Sequence, residues 1–153
     1  MDEGAFDEQA KGLPFIFSVE PWVRPEFAAS VERIVSNWSW MVPRWLEHLT
    51  LSYDEKGEYT AQLTVSEEYR SATLCLGGSW AGSFTNREDE HIILHEMCHF
   101  YTIPTARAGR SAVGALVPDQ ESPAYILAFD QITHAMEGST EDLCRMFLRQ
   151  KTR

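Results

Sequence analysis

Two histidines four residues apart, in the run His95-Glu96-Met97-Cys98-His99, lie inside an apolar stretch that starts at Ile92-Ile93-Leu94 and continues to Phe100-Tyr101. No other feature constrains the chain as much. Residues four apart on a helix share one face, about a turn above one another, so both imidazoles reach a common point. The apolar flanks imply that most of this helix is buried, and buried histidines need partners. Thr85-Asn86-Arg87-Glu88 supplies a start signal, in which the Thr and Glu side chains satisfy exposed amides reciprocally. The helix is expected to pass through His99 and stop before Pro104. His91, one turn before His95, reads as a polar residue of the helix start rather than a ligand.

Two imidazoles at this spacing supply half of a Zn²⁺ shell, which takes nitrogen ligands at about 2.0–2.1 Å and in catalytic sites keeps a position open for water. Glu96 adjoins His95 too closely to be a comfortable third ligand. The HExxH pattern gives it a different task, taking a proton from that water. The expected cofactor is therefore Zn²⁺, with His95 and His99 as ligands and Glu96 as the catalytic base.

A third ligand is sought downstream, where Glu121, Asp130, His134 and Glu137 are available on a helix expected from about Asp119 to Gly138, with glycine as its stop. With Glu121 at zero and about 100° per residue, Ala124, Tyr125, Ala128, Phe129, Ile132, Ala135 and Met136 fall within about 80° of it. Asp130, His134 and Glu137 fall on the opposite side, within about 40° of one another. A carboxylate on an apolar stripe is costly unless paired or metal-bound, so Glu121 is the expected third ligand. Its ordinary alternative is a first-turn Glu that complements the helix dipole. Asp130, His134 and Glu137 remain open as substitutes.

The rest of the chain bounds the fold. Its 153 residues have room for one domain, 1–153, with the acidic start 1–12 expected to be a mobile tail. Pro25 opens a first helix carrying Phe27, Val31, Ile34, Val35 and Trp38 at helical spacing, and Pro43 ends or kinks it. Tyr59, Ala61, Leu63 and Val65 then alternate with polar residues, as in a half-buried strand. Leu49–Tyr53 reads as its hairpin partner across Asp54-Glu55-Lys56-Gly57, and Ala72–Leu76 as a third strand closed by Gly77-Gly78. Thr102 to Pro118 reads as irregular. A short last helix is expected around Leu143, Met146 and Phe147. Together these predict an α+β domain with a small, mostly antiparallel sheet of about three strands.

Several partner classes drop out. A net charge of −10 opposes binding to a polyanion, so no nucleic acid is expected. Arg145, Arg149, Lys151 and Arg153 cluster near the end, where they read as a solvated helix terminus. No apolar run is long enough to cross a bilayer, and the start lacks the features of a signal peptide. Cys75, Cys98 and Cys144 are odd in number and lack a CxxC pair, so free thiols in the cytoplasm are expected.

Strand, HExxH helix, loop and Glu-bearing helix together resemble a minimal zincin. The segment Glu121-Ser122-Pro123-Ala124-Tyr125-Ile126-Leu127-Ala128 resembles the ExxAxxxA helix of the ImmA/IrrE family of small cytosolic metallopeptidases, whose Glu is the third zinc ligand. Pro123 departs from that pattern. The HEMCH core is also similar to SprT-like proteases, although no matching His-Gly element follows His99. The likeness spans roughly residues 70 to 136. It implies a zinc metallopeptidase acting on a peptide or protein substrate, with Ser71–Leu76 as the sheet edge that pairs with it. Tyr101 and Tyr125 are candidates for polarising the oxyanion, beside the ordinary reading of packed aromatics. Three alternatives stand: a zinc-stabilised binding or regulatory module, a SprT-like protease acting on nucleic-acid-bound proteins, and a deformylase-type amide hydrolase using Cys75. The last lacks the surrounding residues of that enzyme.

Overall fold

Where a strand's side chains are buried on both faces, the strand belongs in the middle of a sheet. Ala72, Leu74 and Leu76 are buried, and Thr73 and Cys75 between them are half-buried. A computed structural model, describing residues 12–80 and 86–151, places this strand, β4 (Ser71–Gly77), centrally. Its neighbours are β2 (His48–Asp54), which runs parallel, and β3 (Ala61–Ser66), which runs antiparallel. A further strand, β1 (Ile16–Val19), pairs parallel with the other side of β2. The order is β1-β2-β4-β3, four strands in a mixed sheet.

The α+β class holds, and the details of the sheet are corrected. Strands 49–53 and 59–65 do not form a hairpin, because β4 lies between them. The hairpin is instead β3–β4, closed by a turn in which the Arg70 amide donates to the Glu67 carbonyl at 3.1 Å. Arg70 takes a left-handed φ of 52° there without being glycine. Its guanidinium compensates, pairing with Glu47 at 2.6 Å and donating to the Trp45 carbonyl at 3.1 Å.

The connection after β2 folds back on the end of β4. Gly77 donates to the Thr60 carbonyl at 2.9 Å and Gly78 to the Gly57 carbonyl at 3.0 Å. A Cβ on Gly77 would overlap the Tyr59 backbone carbonyl, and one on Gly78 would overlap that of Glu55. Neither neighbour is a side chain that can swing away. Gly77→Ala is therefore expected to destabilise the protein by about 3 kcal/mol or more, at or beyond the upper end of overpacking costs. A lower denaturant midpoint at unchanged m-value checks it.

Helix α1 (Pro25–Asn37) has proline in its first turn and buries Phe27, Val31, Ile34 and Val35. Helix α2 (Asn86–Leu116) opens with Glu88 and Asp89 in its first turn. The two helices are tied by Ser30 Oγ donating to Asp89 Oδ2 at 3.2 Å and Trp38 Nε1 donating to Glu90 at 2.8 Å. Thr85 of the expected capping box, and residues 1–11 of the expected tail, lie outside the described residues.

Both downstream helix boundaries are corrected. Helix α2 does not stop before Pro104, which sits inside it, and 102–118 is not irregular. An interior proline costs about 3 kcal/mol, but the residues after it include Ala106, Ala108, Ala112 and Ala115, the strongest helix formers. Helix α3 (Pro123–Lys151) starts later than Asp119 and passes through Gly138 without a break. Its start is set by Ser122, whose Oγ accepts the Tyr125 amide at 3.3 Å, followed by Pro123 at the first helical position.

The chain forms two compact units, Met1–Glu96 and Met97–Arg153, and the division falls inside α2. In the second unit α2 and α3 run antiparallel. As α2 advances from Thr102 to Arg110, its hydrogen-bonded partner on α3 retreats from Thr140 to Thr133. Among the described residues, no helix is long and apolar enough to cross a membrane.

Candidate metal centre

His95 and His99 lie one turn apart on α2, which continues unbroken through both. His99 is 6% exposed, and His95 and Glu96 are half-buried. His95, His99 and Glu137 form a group whose ligand atoms all lie within 4.8 Å of one another, and this group could hold a metal ion. Glu137 Oε2 stands 3.6 Å from His99 Nε2, with the Glu137 side chain half exposed.

The carboxylate expected at the histidines was that of Glu121, and the one found there is Glu137. Glu121 precedes α3 and is exposed, its amide donating to Asp119 Oδ1 at 3.1 Å in a local turn. The reason lies in the length of α2. Had it stopped near Pro104, the start of the returning helix would face His99. Because it runs to Leu116, the chain turns later, and the α3 residues opposite His99 are those near Thr140. At about 1.5 Å per residue, the start of α3 at Pro123 is roughly 21 Å along the helix from Glu137. Asp130 and His134 are exposed and stand outside the group.

Glu137→Gln is accordingly expected to weaken any binding of a divalent metal by about 100-fold, since lost outer-shell partners already cost about 10–100-fold and Glu137 would be a ligand. Glu121→Gln should leave it unchanged. Competition with a chromophoric chelator separates the two, and the reverse ranking would remove Glu137 from the site.

Glu96, the expected base, also meets the sheet. Its Oε2 accepts the Leu63 amide of β3 at 2.9 Å. Strand β3 is at one edge of the sheet, so this amide points away from β4. Strand β4, expected to offer a free edge, has a partner on each side and offers none. The tyrosines expected near an oxyanion have other places. Tyr125 stacks on Phe129 with centroids 6.0 Å apart, roughly 18 Å along α3 from Glu137. Tyr101 lines an apolar cavity of about 450 Å³ with Thr105, Gly109, Ile132 and Met136, and burial pushes its phenol pKa up.

Two residues passed over in the sequence surround the far side of the His99 ring. His99 Nδ1 lies 3.2 Å from Thr102 Oγ1 and 3.3 Å from Thr140 Oγ1. Both threonines are buried, and their hydroxyls are 2.7 Å apart. The available signal was spacing: Thr102 follows His99, and Thr140 follows Glu137, by three residues, which puts each pair on one helix face. Cys98 and Cys144 are buried and not disulfide-bonded. A hydrogen bond to Cys98, then burial, pushes the Cys144 pKa up, away from the thiolate form.

Comparison with protein-family models, with curated proteins and with solved structures gave no match for this chain.

Proposed function

We propose that the protein is a zinc-dependent metallopeptidase, with His95, His99 and Glu137 as the metal ligands and Glu96 as the base. The carrying observation is the spacing of the donor set. The 3.6 Å between His99 Nε2 and Glu137 Oε2 is too long for a hydrogen bond. Two ligands of a tetrahedral Zn²⁺, each about 2.0–2.1 Å from it, stand roughly 3.4 Å apart. Two imidazoles and one carboxylate are also the donor set of catalytic zinc sites that leave one position open.

When bound, zinc would polarise a peptide carbonyl and lower the pKa of a water molecule. The chain's own residues would do the rest. Glu96 follows His95 directly and is half-buried, so it accepts a proton near the ligands and passes it to the leaving amine. Strand β3, whose Leu63 amide already meets Glu96, is the sheet edge next to that base. An extended peptide chain fits such an edge through backbone hydrogen bonds. Free Cys98 and Cys144 fit a reducing compartment such as the cytoplasm.

A second reading draws on the same contact. By accepting the Leu63 amide, Glu96 has a structural role at the edge of β3, as it would in a zinc-stabilised module without catalysis. The deciding experiment measures metal content of purified protein and hydrolysis of a fluorescently labelled unfolded protein, before and after chelation and zinc return. About one zinc per chain with zinc-dependent cleavage is expected. Stoichiometric zinc without cleavage favours the module, and absence of zinc binding removes both readings.

A further inference from the structure

The geometry points to Thr102 and Thr140 as a paired positioning device that fixes the His99 ring with its proton on Nδ1 and turns Nε2 toward Glu137. The proposal rests on the metal-site reading for its purpose and on hydrogen-bond bookkeeping for its content. A threonine hydroxyl has one proton to donate. That of Thr140 goes to the Met136 carbonyl, at 2.8 Å along its own helix. The 2.7 Å contact between the two hydroxyls also needs a proton, and only Thr102 has one left to give. With both protons used, the oxygens face His99 Nδ1, at 3.2 and 3.3 Å, solely as acceptors. The ring nitrogen must then be the donor.

Its other nitrogen follows from this. A neutral imidazole with a proton on Nδ1 carries a lone pair on Nε2, and a metal takes that lone pair. Facing it at 3.6 Å is a second electron-rich group, the Glu137 carboxylate. Two such groups facing each other repel unless a proton or a metal ion lies between them. The threonines thus preset the ring in the tautomer and orientation that the candidate site requires, the role usually filled by a carboxylate or backbone carbonyl. Thr140 is one turn beyond Glu137 on α3, so a single turn of that helix supplies both a ligand and the acceptor that orients another.

Nitrogen-15 NMR of the metal-free wild-type protein reads the His99 tautomer directly and needs no substitution. The Nδ1–H form is expected, and an Nε2–H form would overturn the proposal. The companion variant combines Thr102→Val with Thr140→Val, which fills nearly the same space and removes both acceptors, leaving the ring N–H without them. It should lose the Nδ1–H preference and bind zinc about 10–100-fold more weakly in chelator competition. Thr102→Ser with Thr140→Ser, which restores the hydroxyls, should recover both properties. Unchanged zinc affinity in the folded valine variant would overturn the proposal. A wild-type protein that binds no zinc would instead defeat the metal reading, while the tautomer measurement would still decide the role of the threonines.

Discussion

Replacing both imidazoles, His95→Ala with His99→Ala, is expected to lower zinc affinity by on the order of 10⁴, since each lost ligand should cost at least the 10–100-fold seen for outer-shell partners. Of the three ligands only the half-exposed Glu137 remains, and a single carboxylate is a poor site for a dilute metal. The clearest readout is thermal. Zinc at about 100 times its dissociation constant adds about 2.7 kcal/mol to the stability of a protein that binds it only when folded. For a domain of this size that corresponds to a rise in Tm of roughly 5–11 °C. The wild type should show that rise and the double variant none. The variant should also be intrinsically weaker by about 1–3 kcal/mol, because the buried hydroxyls of Thr102 and Thr140 lose the ring nitrogen they accept from. They keep each other, so the fold should persist. An equal zinc-induced rise in both proteins would show that the metal binds elsewhere.

The histidine half of this site could be read from local sequence, because a spacing of four within one helix is a local property. Glu137 could not, because its place is set by where α2 ends. Pro104 and the stretch Thr102 to Pro118 carried the ordinary signs of a break, yet the alanines after Pro104 extend the helix to Leu116. That extension moved the turn, and with it every pairing between α2 and α3. The sign that would have corrected the phase was Ser122-Pro123, an N-cap followed by a first-turn proline, which puts Glu121 before the helix. Gly138 misled in the opposite sense. Glycine lowers helix propensity by about 1 kcal/mol, which a long packed helix tolerates.

The sheet shows the same division between local and non-local information. Period-two alternation located the residues of β3, β2 was found only as its supposed hairpin partner, and α1 followed from its proline and its apolar spacing. Strand order is a matter of which distant segments meet, and alternation does not report it. The stretch from Ala72 to Leu76 was the available clue, since its second face carries only small, uncharged Thr73 and Cys75, which a central strand can cover. The left-handed Arg70 turn hid the β3–β4 hairpin, because its residues, Glu67-Glu68-Tyr69-Arg70, lack the usual glycine or asparagine. Strand β1 is short, four residues, and its pairing with β2 arises only in three dimensions.

Glu96→Gln is expected to leave zinc bound and the protein folded while hydrolysis falls by about 10²–10⁴, the usual worth of a positioned general base. The substitution is informative because Glu96 has two possible roles that it separates. The amide oxygen of glutamine can still accept the Leu63 N–H, now held at 2.9 Å, so the contact with the edge of β3 should survive. What disappears is basicity, since an amide does not take a proton from water at neutral pH. If Glu96 served only the β3 edge, Gln would be nearly silent in every assay. Glu96→Ala supplies the complementary control, since it removes the acceptor as well and should cost about 1–3 kcal/mol for the amide left behind. The proposed mechanism requires both variants to be inactive and only Ala to be clearly less stable. Cleavage by Glu96→Gln at the wild-type rate, with zinc retained, would overturn the assignment of Glu96 as the base and leave it only the contact with the edge of β3.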